Sequence, residues 1–190
     1  MKPVDSGQWT VNSGQAAQSA APLFTVHCPL STVLIIGYGN PLRSDDGFGW
    51  HASRLLARAF AGQDVEVITC HQLTPELAEP LSQSRRAVFI DADAQGKPGD
   101  VHRRTVRPQA PASSAFTHSC TPSGLLASAE GLYGHRPQAV VITVSAQSFA
   151  FGDTLSPVVS AALPEVVDQV GQEVRRPRKR KSEARGSKGR

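Results

Sequence analysis

The fold class is indicated most clearly by the stretch VLIIGYGN at residues 33–40. Its apolar run is continuous rather than alternating, which is typical of a strand that is buried on both faces of a parallel sheet. The run ends in Gly-x-Gly-Asn, a combination that favours a tight turn. Asp45 and Asp46 follow at the start of a predicted helix over residues 47–61. The stretch therefore predicts a strand, a turn and a helix in succession.

The same alternation continues along the chain. Further strands are predicted over 64–70, 87–91, 101–106 and 139–144, and further helices over 75–83, 122–132 and 156–174. The segment 101–106 carries Arg and His residues that suit an exposed sheet edge. Strands and helices in turn, with apolar strands, predict an α/β fold: one domain with a twisted, mainly parallel sheet and helices on both faces.

The net charge divides the chain into unlike parts. The 190 residues carry a formal charge of +4, but the segment 175–190 holds nine basic residues and one acid, a net charge of +8. The other 174 residues hold 11 basic residues and 15 acids, a net charge of −4, which excludes a basic globular domain. Composition predicts a flexible extension over 1–31, one domain over 32–174 and a disordered basic tail over 175–190.

Composition also predicts a cytoplasmic protein. No apolar run approaches the roughly 20 residues that span a bilayer, and the first residues lack the pattern of a signal peptide. The three cysteines, Cys28, Cys70 and Cys120, are odd in number and widely spaced. This spacing is typical of reduced thiols and argues against a disulfide framework or a structural zinc site.

Chemistry-bearing residues follow the predicted strands. Ligands of open α/β sheets bind outside the carboxyl ends of the strands, where we expect Asp45 and Asp46, then Asp91 with Asp93 just beyond it, and His118. Two carboxylates and an imidazole at one sheet edge can bind a borderline divalent metal or transfer protons.

Each of these residues also has a structural alternative. Asp45, and less readily Asp46, can cap the helix or interact with its dipole, since a cap needs only one carboxylate. Asp91 can form a turn after its strand, and His118 can be an ordinary surface residue. Position alone leaves these alternatives open.

Several other classes of site lack their motifs. A dinucleotide fingerprint requires glycine where Leu42 stands, and Cys70 and His71 replace the acid expected after the second strand. There is no P-loop sequence and no Gly-x-Ser-x-Gly elbow, and no cysteine has the setting of a nucleophile.

The motif GYGNPLRSDDGFG at residues 37–49 resembles the signature of the nickel-iron hydrogenase maturation endopeptidases. The similarity continues through Ile90-Asp91-Ala92, Thr117-His118 and Leu125-Leu126, and covers roughly residues 33–172. Members of this family trim the C-terminal extension from the hydrogenase large subunit.

The resemblance implies a set of site residues and a partner. Matched by motif, the family's metal-contacting and catalytic residues fall on Asp46, Asp91 and His118. The Ile-Asp-Ala context favours Asp91 over Asp93. The implied partner is a large-subunit precursor that carries nickel already installed, so the metal is supplied by the substrate and bound transiently. Either a carboxylate activates water or the metal polarises the carbonyl.

Three segments resemble one branch of the family, the endopeptidases of bidirectional NAD-linked hydrogenases; they are residues 71–77, 133–139 and 151–157. His71 lies in the first of these segments and has two interpretations. It either contacts a metal ligand or the substrate, or it is a buried, hydrogen-bonded histidine.

Two further hypotheses remain. The first is a checkpoint or chaperone that binds the nickel-loaded precursor without cutting it. The second is weak nucleic-acid binding by the basic tail. We expect no membrane partner.

Overall fold

A five-stranded sheet forms the centre of the computed structural model, which describes residues 32–109 and 120–177. The strands are β1 (Val33–Tyr38), β2 (Val65–Cys70), β3 (Arg86–Asp93), β4 (Val101–Val106) and β5 (Gln138–Ser145). Their order across the sheet is β2-β1-β3-β5-β4. All neighbours pair in parallel except β4, which runs antiparallel to β5 at the sheet edge. The predicted α/β class and the edge position of 101–106 are confirmed.

Helices cover both faces of this sheet. They are α1 (Phe48–Ala59), α2 (Ala78–Gln83), α3 (Pro122–Tyr133), α4 (Pro157–Ser160) and α5 (Leu163–Arg175), with 3-10 turns at Ser44–Gly47 and Pro75–Leu77. Side chains of α1 and α5 form one core with the sheet, around Ile35, Val88 and Ile142. Side chains of α2 and α3 form a second core on the opposite face, around Ile36 and Phe89. The result is a three-layer arrangement, as the continuous apolar strands predict.

The first helix lies unusually close to the sheet. A Cβ atom added to Gly49 would collide with the carbonyl oxygens of Ile90 and Tyr38, and one added to Gly37 would collide with the carbonyl oxygen of Gly49. Glycine at both positions therefore lets α1 start directly against the carboxyl ends of β1 and β3. This approach brings the Asp45–Asp46 turn to the edge where β3 delivers its acids.

Two element boundaries differ from the sequence predictions. The helix predicted over 156–174 is two helices, with a turn at residues 161–162. Pro164 lacks an N–H and is tolerated only in the first turn of a helix, so α5 begins anew at Leu163. The strand predicted over 87–91 continues to Asp93, because β5 pairs with it up to Ser145. Asp91 thus lies inside β3 rather than at its end.

The predictions for residues 1–31 and 178–190 lie outside the described residues. Within the described ranges, no helix is long and apolar enough to cross a membrane.

A buried charge cluster joins α5 to the sheet. Glu173 is 3% exposed and accepts hydrogen bonds from Arg86 (2.7 Å), Arg103 (3.0 Å) and Arg176 (3.2 Å). Burial by itself would raise the pKa of Glu173, but the hydrogen bond and charge of Arg103 and the charges of Arg86 and Arg176 lower it below its ordinary value of 4.5. Glu173 is therefore held as a carboxylate.

We predict that Glu173→Gln lowers the free energy of unfolding at neutral pH by about 3 kcal/mol, because it leaves the buried Arg86 without its counter-charge. A carboxylate with a lowered folded-state pKa contributes stability above its unfolded pKa, and this contribution is lost as pH falls through the folded value. Urea unfolding should therefore show wild-type stability declining below about pH 4.5, more steeply than in the variant.

Glu165→Gln is the matched control, since Glu165 is exposed on the same helix and its loss should change stability by less than about 0.5 kcal/mol. Equal destabilisation by the two substitutions, or parallel pH curves for wild type and Glu173→Gln, would contradict this account of α5.

Candidate active site

The candidate site begins in the turn after β1. Gly39 has a φ of 130°, and a Cβ atom there would collide with the carbonyl oxygen of Asp46. Only glycine accommodates both constraints. The Asn40 side chain then accepts a hydrogen bond from the Leu42 N–H at 3.0 Å, which closes an Asx turn. This geometry folds the chain back so that the acids of the 3-10 turn face the strand ends.

Asp45 holds two loops together. Its side chain is fully buried and accepts four hydrogen bonds from the loop after β5. The donors are the Gln147 N–H (2.9 Å), the Ser148 N–H (3.0 Å), the Ser156 N–H (2.7 Å) and the Ser156 hydroxyl (2.9 Å). The Asp45 carboxylate is thus satisfied within the protein, as a buried charge must be. Its role is structural, although it ties a distant loop instead of capping the helix.

Asp46 is presented differently from its neighbour. It is half-buried, and its carboxylate accepts one recorded hydrogen bond, from the Asn40 N–H at 3.1 Å. A carboxylate has about four acceptor positions, so this single bond fixes Asp46 while leaving lone pairs for a ligand. Asp46 therefore fits the predicted role better than Asp45.

Asp91 lies beside Asp46 on β3. Its carboxylate accepts a hydrogen bond from the Ala92 N–H at 2.8 Å, and the Tyr38 hydroxyl lies close enough to lower the pKa of Asp91. Burial above all, together with the nearby charges of Asp46 and Asp93, raises the pKa of Asp91 to about 6 against the lowering effects of Tyr38 and the Ala92 N–H. Two carboxylates held near each other repel, and a divalent cation relieves that repulsion.

A cavity of about 240 Å³ brings these two carboxylates together. Its lining residues are Tyr38, Gly39, Asp46, His71, Gln72, Leu73, Asp91 and Cys120. Asp93 is not among them; its carboxylate accepts a hydrogen bond from the Gln95 N–H at 3.0 Å, which is the turn-forming role. Asp91 and Asp93 both line a neighbouring cavity of about 580 Å³, so the choice of Asp91, which the Ile-Asp-Ala context favours, stays a prediction.

The third predicted residue, His118, lies outside the described residues, so its place stays a prediction. Among the described residues, no three His, Cys, Asp or Glu side chains are grouped closely enough to hold a metal ion. Asp46 and Asp91 therefore need at least one further ligand, from the segment 110–119 or from a bound molecule, to complete a metal site.

Sequence reasoning missed two residues of the cavity and left one open. Tyr38 shares the sheet face of Leu34 and Ile36, and the two-residue period of β1 could have indicated this. Cys120 follows the segment 110–119, and nothing in the sequence indicates that it lines the cavity. Burial raises the pKa of the Cys120 thiol, which does not favour a nucleophile. His71 is exposed at the cavity, so the interpretation as a buried histidine is wrong.

Comparison with known proteins adds a shared fold. No protein-family model matches the chain, and no curated protein matches its sequence. Solved structures do match. The NiFe hydrogenase maturation protease HycI from Thermococcus kodakarensis superposes with a TM-score of 0.62 at 18% identity, over 77% of this chain and 94% of that one.

Two matches reach 25% identity. One is HybD from Thermococcus kodakarensis, another NiFe hydrogenase maturation protease, with a TM-score of 0.57 over 75% of this chain and 99% of that one. The other is a hydrogenase 2 maturation peptidase from a Thaumarchaeota archaeon, with a TM-score of 0.58 over 75% of this chain and 97% of that one. The chain has the fold of the hydrogenase maturation proteases. These neighbours support the family resemblance, while none of them distinguishes the predicted branch.

Asp45 and Asp46 have different roles on this fold, and substitutions can distinguish them. We predict that Asp45→Asn lowers the free energy of unfolding by roughly 2–4 kcal/mol, because the amide replaces one of the two acceptor oxygens with an NH2 group that faces buried donors. Asp46→Asn should change stability by less than about 1 kcal/mol, since it disturbs one hydrogen bond. Urea denaturation of both variants measures the difference. Equal loss of stability in the two variants would refute the division of roles.

Proposed function

We propose that this chain is an endopeptidase that removes the C-terminal extension of a nickel-loaded hydrogenase large-subunit precursor. The observation that carries the proposal is the pairing of Asp46 and Asp91 at one cavity, on a fold shared with proteins named as hydrogenase maturation proteases. Those neighbours support a hydrolase that acts on a peptide bond. The nickel-loaded precursor as substrate is our inference.

Nickel enters this proposal as part of the substrate. Carboxylate oxygens and an imidazole nitrogen bind borderline divalent metals, and they complement cysteine sulfurs that the precursor would supply. We infer that Asp46, Asp91 and His118 contact the nickel while the precursor is bound. Because the enzyme would provide only part of the ligand set, its own affinity for free nickel should be weak.

The same carboxylates are available for the hydrolytic step. Each is oriented by a backbone N–H, from Asn40 for Asp46 and from Ala92 for Asp91, and each keeps acceptor positions open. A carboxylate so placed can orient or deprotonate a water molecule. Polarisation of the scissile carbonyl by the substrate's nickel is the second route that this arrangement permits.

We further infer a cytoplasmic enzyme of the branch that serves bidirectional NAD-linked hydrogenases. The segments 71–77, 133–139 and 151–157 support the branch. The location is supported by Cys70 and Cys120, both free thiols in the described part of the chain.

Cleavage of a precursor tests the proposal. We expect wild-type protein to shorten a nickel-loaded large-subunit precursor by its C-terminal extension, measured by intact mass. Asp46→Asn, Asp91→Asn and His118→Ala should each slow cleavage by at least about 100-fold, the range expected for a group that takes part in the reaction. Asp93→Asn is the matched control and should stay within a few-fold of wild type.

The outcomes separate the alternatives. Nickel-dependent binding of the precursor without any loss of mass would replace the peptidase with a checkpoint or chaperone. Equal cleavage by wild type and Asp46→Asn would show that the assigned carboxylates do not serve the reaction.

Tyr38 provides a milder test. Its hydroxyl lies close enough to Asp91 to lower the pKa of that carboxyl group, so Tyr38→Phe should reduce the turnover number about tenfold if the hydroxyl orients Asp91 in the reaction, in line with a hydrogen bond to a charged group. The melting temperature and KM should change little. A loss confined to KM or to stability would assign Tyr38 to substrate binding or to packing instead of orientation of Asp91.

A further inference from the structure

A second, larger cavity lies at the opposite end of the sheet. It has a volume of about 810 Å³ and includes Arg86 at the start of β3 and Gln138 at the start of β5. Asp91 is five residues farther along β3, which corresponds to about 17 Å at the rise of a parallel strand. We call this cavity the arginine cavity. It shares Thr105, Val106 and Arg107 with a cavity of about 580 Å³ that Asp91 also lines, and it has no part in the proposed hydrolysis.

Five guanidinium groups line the arginine cavity. They come from separate elements of the fold and are Arg86, Arg103, Arg107, Arg136 and Arg176. No acidic residue occurs among the described residues that line it. Like charges gathered in one concavity raise its positive potential and destabilise the empty state.

The nearby acids balance only part of this charge. Glu173 is shared by Arg86, Arg103 and Arg176, and Glu130 pairs with Arg136 at 2.9 Å. Two carboxylates therefore face five guanidinium groups. Burial lowers the pKa of Arg86, and the charges of Arg176 and Arg85 lower it further against the opposing effect of Glu173. The protein's own acids leave an unbalanced positive charge.

The parts of the sequence beyond the described ranges hold few acids. Residues 178–190 contain seven basic residues and the single acid Glu183, residues 110–119 contain none, and residues 1–31 contain only Asp5. By composition these segments add more positive than negative charge. An anionic group of another molecule would balance the charge of the cavity.

The shape and chemistry of the cavity favour a peptide. Between the arginines it is lined by aliphatic residues, among them Val106, Ala139 and Val140, and none of its described lining residues is aromatic. Proteins that bind single-stranded nucleic acid combine basic grooves with aromatic stacking platforms. The adjoining β4 pairs only with β5 in the described part of the chain, so its outer edge can hydrogen-bond an extended main chain.

We propose that the arginine cavity binds an extended acidic peptide segment of a partner protein. Guanidinium groups bind carboxylates through paired hydrogen bonds, the aliphatic lining accommodates the stems of Glu side chains, and the β4 edge can align the peptide backbone. Such a contact would hold a partner about 17 Å from the candidate active site. The proposal does not rest on the peptidase assignment, because the cavity would bind an acidic segment whatever reaction occurs at the other end of the sheet.

The test uses the full chain and a fluorescein-labelled hexaglutamate peptide, with binding measured by fluorescence anisotropy. The double variant Arg107→Gln/Arg136→Gln removes two cavity charges and spares the Glu173 cluster. We expect it to weaken peptide binding by at least about tenfold, as the loss of two charge-assisted contacts implies. The matched control Arg58→Gln/Lys97→Gln removes two exposed charges elsewhere and should change affinity by less than about twofold, a screened long-range effect.

A second variant guards against a folding defect. Thr105→Asp keeps every arginine and places a negative charge at an exposed position of the cavity, so it should also weaken binding while the melting temperature stays near that of wild type. Cleavage of a precursor, or its absence, has no bearing on these measurements.

Three outcomes would overturn the proposal. Equal weakening by the cavity and control variants would assign the binding to overall charge and the basic tail. Tighter, arginine-dependent binding of hexathymidylate would make the cavity a nucleic-acid site. Tighter binding of pyrophosphate than of the peptide would make it a site for a small phosphate.

Discussion

The buried carboxylate of Asp45 is the interaction on which the candidate site depends. It joins the turn after β1 to the loop after β5, two segments separated by 102 to 111 residues. Hydrogen bonds to a charged group each contribute about 1.5–3 kcal/mol, and this carboxylate accepts four of them. The pairing of Arg43 with Gly152 and the hydrogen bond from Ser44 N–H to the Gly152 carbonyl extend the same contact. These contacts fix the turn after β1 against the loop after β5 at the carboxyl edge of the sheet.

This constraint explains how two adjacent acids acquire different tasks. Because Asp45 is turned inward, its neighbour Asp46 lies on the other side of the 3-10 turn and reaches the cavity that Asp91 also lines. Gly49 contributes by letting α1 approach the strand ends without a side chain between them. Tyr38 lies next to Asp91 and lowers the pKa of its carboxyl group. A site prepared in this way needs little rearrangement on binding, which is how preorganised sites gain affinity and rate.

The limits of sequence reasoning follow from the range of each interaction. Continuous apolar strands and a polar edge strand are local patterns, and they predicted the sheet and the position of β4 correctly. Motif context favours Asp46 over Asp45 and Asp91 over Asp93, and these choices stay predictions. The four partners of Asp45 and the extension of β3 to Asp93 depend on pairing with residues far along the chain, which no local pattern encodes. Pro164 signals the break before α5, but the prediction of a single helix over 156–174 did not use that signal.

The two ends of the sheet carry opposite charges. The carboxyl end presents Asp46 and Asp91 and suits a cation, whereas the amino end presents the arginine cavity and suits an anion. A large protein partner could contact both ends, because the sheet between them is only about five residues long at β3, or about 17 Å. Opposite charges at the two ends of the sheet are compatible with a protein substrate.

The central claim is that Asp46 and Asp91, held in place through Asp45, form the cation-binding part of the site. Anomalous diffraction at the nickel absorption edge from crystals of the full chain soaked in Ni²⁺ tests it most directly. The account predicts an anomalous peak at the cavity with the Asp46 and Asp91 carboxylates as ligands and with Asp45 still bonded to its loop. A peak bound by Asp45 or Asp93 in place of Asp46 and Asp91 would contradict it.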